Sequence, residues 1–426
     1  MAALRALVLS LTLTLTLGLA WAAPAPQTAP DPPDSDSDID INEIFRDSLS
    51  SGARIFLPDD PEYTAQITQR WSTYNSPSFI AAIKPATEKD AQTINVIDID
   101  LGNFNTTDLD TEANTFTVGG ATVISQIYQP LYDAGKELPS GDLLTVSDAE
   151  NSDLFWAIRG AAANFGIITQ ATYRVHNATN SGQVVNADFT YSWDDEDSGD
   201  GLPPQMSLAI AGSIANGSAS IAASIQFFGP LSDAQPYIDT FLDLNPTRNQ
   251  TIIVPWPELS SAASFGRGNA SCARGGHLLP YGVGFNATNA SALSDGFAAM
   301  ADFGADNIWY RGSFVVQRWS SAAARAVPES ERAVYPWRDI KFQVLISHIA
   351  PNASYDDDIE EFAGPARDRL YDASGFEQPQ TYVNYGHGDE GPEVWWGDNL
   401  PRLSALKREW DPEGIFGAGN PVPLDA

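Results

Sequence analysis

The stretch NSDLFWAIRGAAANFGIIT, residues 151–169, decides the fold of this chain. Its first half places Phe155 and Ile158 at helical spacing and reaches Gly160, so it predicts a helix that ends near this glycine. Its second half, residues 164–169, is apolar and predicts the start of a strand. Read alone, the stretch is a buried amphipathic helix joined to a strand.

The segments on the N-terminal side of this stretch alternate between strand and helix patterns. Residues 80–84 predict a strand, followed by a turn and a short helix capped at Thr87. Residues 95–99 and 116–120 predict two more strands, the second ending in a glycine turn. Residues 124–134 have apolar side chains at helical spacing. The N-terminal half is therefore expected to mix helices and strands.

The middle of the chain has the same mixed character and contains no internal repeat. Residues 220–228 predict a strand, and residues 236–244 predict a helix in which Pro236 occupies the first turn. After this region comes the segment TYVNY, residues 381–385, and later the tripeptide Trp410-Asp411-Pro412.

Taken together, these stretches resemble the berberine bridge enzyme-like oxidases of the vanillyl-alcohol oxidase superfamily. Residues 151–169 are similar to that family's run EN.DLFWAlrGgG.nFGIVT, and residues 70–75 and 83–91 are similar to its opening. Residues 382–385 and 402–416 are similar to its C-terminal return. The resemblance implies an α+β flavoprotein, with a reduced PCMH-type FAD-binding domain and an α+β substrate domain built on an antiparallel sheet.

The predicted domain boundaries follow from this resemblance and from composition. Residues 1–22 are expected to be a signal peptide and residues 23–43 a flexible linker rich in Pro, Asp and Ser. The FAD-binding domain is predicted at 44–176 and the substrate domain at 177–380. Residues 381–426 are predicted to return to the FAD-binding domain.

The resemblance also implies which residues serve the site. Tyr382 and Tyr385 are the candidate catalytic bases, because related enzymes place tyrosines of this segment beside the flavin ring. The alternative is that both rings only pack the domain seam. The candidate cofactor-binding residues are Gly160, Asn164, Phe165, Gly166, Ile168, Thr169, Tyr382 and Asn384.

Two departures from the family pattern affect the cofactor. Between Ile94 and Val96 the family carries a Gly-Gly-His turn that attaches the flavin and binds its diphosphate, and that turn is missing. Between Gly141 and Asp142 a second glycine run is missing. Because close approach to a diphosphate requires glycines and free N–H donors, FAD is expected to be non-covalent if it binds at all. The alternative is an inactive secreted paralogue, or a mispredicted gene product, that does not bind FAD.

The residues of the flavin-attaching turn do occur at another place in the sequence. Arg274-Gly275-Gly276-His277 lies in the middle domain without the expected strand and helix before it, so His277 is not predicted to touch a flavin. The other histidines, His176, His348 and His387, are too scattered for a metal cluster. No metal site is predicted.

Composition and sequons indicate the compartment of the protein and exclude some classes of partner. The net charge is −32, which repels nucleic acid and anionic membranes. The single cysteine, Cys272, allows no internal disulfide. The signal peptide predicts a secreted protein without a membrane anchor after cleavage, and eight sequons predict N-glycans. The sequon asparagines are Asn105, Asn177, Asn216, Asn249, Asn269, Asn286, Asn289 and Asn352.

The function that the resemblance implies is oxidation of an alcohol, sugar or secondary-metabolite C–H bond. In the family a base removes a proton from the substrate, hydride passes to the flavin, and molecular oxygen reoxidises it. A sugar-binding role is a third hypothesis, suggested by eleven tryptophans that include Trp395-Trp396. That pair is more typical of a core or an interface than of a sugar platform.

Overall fold

The computed structural model describes residues 41–45, 48–67, 70–74, 79, 81–87, 90, 98–137, 150–191, 202–268, 274–417 and 419–426. The predicted signal peptide, most of the predicted linker and the two joins where family segments are missing lie outside the described residues. So do Cys272 and Asn269. The described part begins with the helix Ile41–Phe45, in which Ile41 is buried, so the last three residues of the predicted linker, 41–43, belong to a helix.

The chain contains both helices and strands, and its sheets are mainly antiparallel, as in an α+β protein. The helices are α1 Ile41–Phe45, α2 Tyr63–Gln66, α3 Ile124–Asp133, α4 Ser152–Ala161, α5 Leu231–Asp243, α6 Leu259–Gly266, α7 Ala290–Asp306, α8 Ala322–Arg325, α9 Asp356–Asp372, α10 Pro392–Trp396 and α11 Leu400–Trp410. The strands are β1 Arg54–Phe56, β2 Ala82–Lys84, β3 Asp98–Ile99, β4 Thr107–Asp110, β5 Thr115–Gly119, β6 Lys136–Glu137, β7 Gln170–Arg174, β8 His176–Asn177, β9 Gln183–Tyr191, β10 Met206–Ala215, β11 Ser218–Phe227, β12 Arg248–Pro255, β13 His277–Phe285, β14 Arg311–Trp319 and β15 Phe342–Ala350.

The N-terminal half contains three small sheets. Strands β1, β2 and β3 form one sheet, in which β1 and β2 are antiparallel and β2 and β3 are parallel. Strands β4, β5 and β7 form an antiparallel sheet, and β6 pairs with β8. Helix α3 packs Ile127 and Leu131 against Phe116 and Val118 of β5. The predicted helix over 124–134 and the strand near 116–120 are therefore confirmed.

The middle of the chain forms one antiparallel sheet of seven strands in the order β12-β9-β11-β10-β14-β15-β13. This confirms the predicted antiparallel sheet. Strands β10 and β11 form a hairpin that turns at Asn216 and Gly217, whose φ angles are 53° and 71°. Two positive φ angles in a two-residue loop match the twist of the flanking strands, and Asn-Gly is the sequence that adopts them most readily.

The large sheet has one apolar face that carries the main core. Residues of β13, β14 and β15 pack there with Phe297 and Met300 of α7 and with Ile359 and Leu370 of α9. At the other end of the same face, β9 and β11 pack against Ala234 and Ile238 of α5. The opposite face is left for polar side chains.

Two sequence predictions about this region are corrected. Helix α5 begins at Leu231, so Pro236 lies inside the helix and not in its first turn. Burial of Ala234 and Ile238 at helical spacing outweighs the cost of one interior proline. After α4, residues 162–164 form a 3-10 turn and β7 begins only at Gln170. The strand starts late because the Asn164 side chain is held by the C-terminal segment.

The C-terminal segment packs on helix α4 around a separate core. Trp156 and Phe165 meet Trp395, Trp396 and Leu403 in this cluster. Trp395 and Trp396 are 3% and 2% exposed, so their interpretation as core residues is confirmed. No helix within the described ranges is long and apolar enough to cross a membrane.

Candidate active site at the domain seam

The polar face of the seven-stranded sheet carries a row of side chains that crosses five strands. In the strand registers, Asp188 of β9 lies opposite Ser224, which lies opposite Ala209. Ala209 lies opposite Gln317 of β14, and Gln317 lies opposite Gln343 of β15. Because directly opposed residues of antiparallel strands share a face, these side chains form one row.

Two glutamines occupy the centre of this polar face. Gln317 is 6% exposed, and its Oε1 accepts a hydrogen bond of 2.6 Å from the Tyr385 hydroxyl. Gln343 is 1% exposed, and its amide lies beside the Tyr335 hydroxyl, whose pKa it lowers by hydrogen bonding; it has no other partner among the residues that the structure describes. A buried amide has two N–H donors and an acceptor oxygen, so one contact with Tyr335 leaves capacity for a ligand.

The segment that contains Tyr382 and Tyr385 covers these glutamines. It forms the 3-10 turn Val383–Tyr385, in which Tyr382 and Tyr385 meet edge to face at 5.3 Å. The Asn384 side chain donates a hydrogen bond of 2.7 Å to the Tyr382 hydroxyl. Tyr335 meets Tyr382 edge to face at 5.8 Å. We call Tyr335, Gln343, Tyr382 and Asn384 the seam site.

Burial controls the acidity of the phenols at this site. Burial raises the pKa of Tyr382 and of Tyr335, and it raises the pKa of Tyr385 well above the usual value. The hydrogen bond to Gln317 lowers the Tyr385 pKa only in part. All three hydroxyls are therefore protonated at neutral pH and act as hydrogen-bond donors. A base role for Tyr382 or Tyr385 stays a prediction, and it requires alkaline pH or a cationic neighbour.

The predicted cofactor residues after α4 fall into two groups. Asn164 and Phe165 face the C-terminal segment: the Asn164 Oδ1 accepts a hydrogen bond of 2.8 Å from the Val422 N–H, and Phe165 lies in the tryptophan-rich core. Gly166 has open space where a side chain would be, and Ile168 and Thr169 are half-buried. Gly166, Ile168 and Thr169 remain accessible to a ligand, whereas Asn164 is engaged in holding two segments together.

Gly160 joins the same helix to the seam site. A side chain on Gly160 would lie 2.6 Å from the Val334 Cγ1 atom and 3.5 Å from the Tyr335 backbone nitrogen. Tyr335 thus lies next to Gly160 and also next to Tyr382, whose hydroxyl is bonded to Asn384. Whether these residues contact a cofactor stays a prediction.

Sequence reasoning missed Gln317, Gln343 and Tyr335. The signal was present, since both glutamines interrupt apolar strand runs, as in FVVQRW and FQVLIS. A polar residue at an inward strand position predicts a satisfied core network or a site. The sequence alone could not show that the two glutamines lie side by side.

His277 lies at the start of β13 and links three segments. Its Nδ1 is 3.0 Å from the Thr73 hydroxyl, and its Nε2 is 2.6 Å from Asp356 Oδ1. Both ring nitrogens are thus engaged by protein groups, and the expectation that His277 does not touch a flavin stays a prediction. Among the residues with described positions, no group of three or more His, Cys, Asp or Glu could hold a metal ion.

The residues of the seam site fit the ring of a flavin, because the Gln343 amide keeps donor and acceptor capacity for the ring's carbonyl and N–H groups beyond its contact with Tyr335. The glycine pair Gly119-Gly120 at the end of β5 does not offer donors for a diphosphate. The Gly119 N–H donates to the Thr106 carbonyl oxygen, and the Gly120 N–H donates to the Thr169 carbonyl oxygen. Because the family's attachment turn is missing, non-covalent attachment of FAD remains the expectation for this chain.

Comparisons with known proteins support this assignment of fold and family. A family model described as berberine and berberine like matches residues 381–423. The FAD-linked oxidoreductase tazL of Aspergillus terreus is 38% identical over 467 aligned positions, which cover 90% of this chain and 94% of that protein. The resemblance found in the sequence is thereby confirmed.

Solved structures with a similar fold extend the comparison. BBE-like 1 of Physcomitrella patens has a TM-score of 0.72 at 18% identity and covers 90% of this chain and 99% of that one. The xylooligosaccharide oxidase of Myceliophthora thermophila C1 has a TM-score of 0.69 at 16% identity and covers 90% and 98%. The predicted fold class, α+β with a PCMH-type FAD-binding domain, is confirmed.

The alignment with the A. terreus relative also bears on the missing segments. It takes in 90% of 426 residues, about 383, so about 84 of the 467 aligned positions hold a residue of the relative only. A deficit of this kind is expected if internal segments of the family are missing from this chain.

Proposed function

This chain belongs to the berberine bridge enzyme-like FAD-linked oxidoreductases, and we propose that it oxidises a small organic substrate in the seam site. The substrate class is an alcohol, a sugar or a secondary metabolite with a C–H bond next to oxygen or nitrogen, and the acceptor is molecular oxygen. The observation that carries the proposal is the buried amide of Gln343 next to Tyr335, which in turn meets Tyr382 edge to face. A sugar is among the substrates because a protein of similar fold is named a xylooligosaccharide oxidase.

The residues of the seam site bind and orient the substrate. FAD, when bound, supplies the two-electron acceptor for this oxidation. The Gln343 amide offers one donor and one acceptor to a substrate hydroxyl, which fixes the direction of the reacting C–H bond. Tyr382, held by Asn384, exchanges a proton with the substrate oxygen. Burial raises the Tyr382 pKa, so little phenolate is present at neutral pH and its fraction increases as the solution becomes alkaline. We therefore expect the rate of oxidation to increase towards alkaline pH.

The visible absorption spectrum of the purified full-length protein tests this proposal. We expect flavin bands that stay in the supernatant after acid precipitation, because the family's attachment turn is missing. Protein supplied with excess FAD and then desalted serves as the control for loss of a weakly held cofactor. A folded protein that is colourless under both conditions would contradict the oxidase proposal and favour the inactive paralogue, and failure to obtain soluble protein would favour a mispredicted gene product.

We also propose that the chain is a secreted glycoprotein. Five of the predicted sequon asparagines are exposed, namely Asn105, Asn177, Asn216, Asn249 and Asn352. Exposed sequons in a secreted chain are the sites where glycans can attach. The Asn352 and Asn289 side chains accept backbone hydrogen bonds through Oδ1, which leaves the Nδ2 atom for a glycan.

Enzymatic removal of N-glycans from protein collected from the medium checks this proposal. We expect a lower mass after treatment, and a smaller decrease when Ser218→Ala removes the sequon at the β10–β11 hairpin. Ser218→Ala is chosen over a change of Asn216, because Asn216 has a positive φ that the turn requires. Ser220→Ala, two residues further along β11 and outside any sequon, is the matched control. An unchanged mass, or retention of the chain in the cell, would contradict the proposal.

A further inference from the structure

Three arginines converge beside the seam site. Arg159 immediately precedes Gly160, which lies against Val334 and Tyr335. Arg332 and Arg338 stand on either side of that same short segment. The contact at Gly160 therefore brings one arginine of α4 to two arginines of the substrate domain. We call Arg159, Arg332 and Arg338 the arginine cluster.

The surroundings of these side chains show that the cluster is held in place and partly dehydrated. The Arg332 Nε donates a hydrogen bond of 3.1 Å to the Val327 carbonyl oxygen, and the Arg338 Nη1 donates one of 3.2 Å to that of Ala324. Burial, together with the charges of Arg332 and Arg159, lowers the pKa of Arg338. Three guanidinium groups that repel one another require a counter-charge.

The described part of the chain supplies no such counter-charge. None of the three arginines forms an ion pair with a carboxylate there, although the chain has 55 acidic residues. The Arg159 Nε is buried and has no acceptor within the same described part. Arg159 is turned back over the Phe155 ring, with its Cζ 4.3 Å from the ring centre. The cluster therefore has guanidinium donors that no carboxylate of the described residues neutralises.

A second, independent observation lies next to the cluster. Gln343 is 1% exposed and its amide contacts Tyr335, which lies between Arg332 and Arg338 in sequence and meets Tyr382 of the seam site. Tyr335 therefore connects the arginine cluster to the amide of the seam site. Planar guanidinium groups recognise carboxylates with paired, charge-assisted hydrogen bonds.

We infer that the arginine cluster binds a carboxylate group of the substrate, so that the seam site takes organic acids in preference to their neutral analogues. This inference rests on the proposed function, since it names the substrate class of the same site. A net charge of −32 repels anions, and a local cationic cluster is what would let an acid enter. A diphosphate of the cofactor has related chemistry, but two of the three arginines flank Tyr335 in sequence, and Tyr335 meets Tyr382 of the seam site.

A matched pair of small probes tests the inference on the full-length protein. The probes are 4-hydroxybenzoate and 4-hydroxybenzamide, which have similar shapes and differ in charge. By titration calorimetry we expect the carboxylate to bind about tenfold to about a hundredfold more tightly, the range given by charge-assisted hydrogen bonds. This preference should shrink as salt is added. Neither measurement requires bound flavin, so a colourless protein can still show the preference.

Variants assign the preference to the cluster. Arg338→Gln and Arg159→Gln should remove the preference for the carboxylate and leave binding of the amide unchanged, while Arg338→Lys should retain part of it. Arg311→Gln, at an exposed end of β14, is the matched control and should change neither probe.

Several results would overturn the inference. They are equal binding of the two probes, a preference that survives both Gln variants, and loss of both probes together. Competition by ADP, combined with lower FAD content in Arg338→Gln, would instead assign the cluster to the cofactor's diphosphate and would also overturn it.

Discussion

Replacement of Lys407 by methionine is expected to lower the free energy of unfolding by about 3–5 kcal/mol, the usual result of breaking a buried ion pair from one side. Lys407 is 1% exposed, and its Nζ donates to Asp411 Oδ2 at 2.5 Å and to the carbonyl oxygens of Asn164 and Phe416 at 2.6 and 2.9 Å. Methionine has a similar length but no donor. The change leaves a carboxylate and two carbonyl groups buried without this partner.

The acidity of Asp411 gives this prediction a pH dependence. Burial alone would raise the pKa of Asp411, but hydrogen bonds from Lys407 and from the Phe416 and Ile415 N–H groups outweigh it and hold the pKa below its usual value. A lowered carboxyl pKa stabilises the fold above the pKa of the unfolded chain, and this contribution is lost as the pH falls through the folded pKa. The difference between Lys407→Met and the parent should therefore be largest at neutral pH and shrink in acid.

Urea unfolding followed by tryptophan fluorescence measures this effect, because Trp156, Trp395 and Trp396 lie in the adjoining core. Arg402→Met in the same helix is the matched control. Arg402 pairs with Asp153, but both side chains are at least half exposed, so its loss should cost below about 1 kcal/mol. Equal effects of the two substitutions would show that Lys407 does not hold residues 151–169 to the C-terminal segment.

The fold could be predicted from the sequence because its deciding signals are local. Residues 151–169 contain a helix, a turn and an approach to a strand within nineteen positions, and residues 381–385 identify the return segment. Where prediction failed, contacts from distant residues decided the outcome. Asn164 was expected at the start of a strand, but its bond to the Val422 N–H keeps it in a turn. Pro236 was expected to begin a helix that packing extends by five residues.

The site could be predicted only in part, for a related reason. Tyr382 and Asn384 belong to a motif and were named from it. Gln343 belongs to no motif, and its place beside Gln317 depends on the register of two strands that are far apart in sequence. The arginine cluster was even harder to predict, because Arg159 joins it only through the packing of Gly160 against Val334 and Tyr335, which are far away in sequence. A resemblance to a family identifies residues that belong to a motif. The structure is needed to show which residues from distant parts of the chain lie side by side.

Removal of the Asp188 carboxylate is the second change with a large expected effect, because one buried group holds a strained loop, the non-helical turn at residues 263–265 near the end of α6, on the polar sheet face. Asp188 is 0% exposed and accepts hydrogen bonds from the Asn186 and Ser224 side chains at 2.8 and 2.6 Å. It also accepts the backbone N–H groups of Ser264 and Phe265 at 3.0 and 2.9 Å.

The loop requires this carboxylate because its backbone is unfavourable. Ser264 and Phe265 have φ angles of 56° and 58°, in the left-handed region that costs a residue with a side chain about 1–2 kcal/mol. Paired N–H groups that point at one anion compensate for this cost. Asp188→Ala takes the acceptor away from four donors, of which only the Ser224 hydroxyl has another acceptor among the described residues, the Asn186 Oδ1 at 3.5 Å, and it removes the compensation, so we expect a loss of about 3–5 kcal/mol and a loop that opens.

Two measurements separate this result from a general loss of stability. Urea unfolding should show the loss for Asp188→Ala, while trypsin should cut faster after Arg267, which is exposed at the end of α6. Asp239→Ala is the matched control, because that carboxylate also accepts a side-chain hydrogen bond but lies at the surface of α5. Asp188→Asn should be intermediate, since it keeps one acceptor and turns a donor towards the loop. If Asp188→Ala and Asp239→Ala unfold at the same urea concentration and are cut at the same rate, the loop is held by its packing alone.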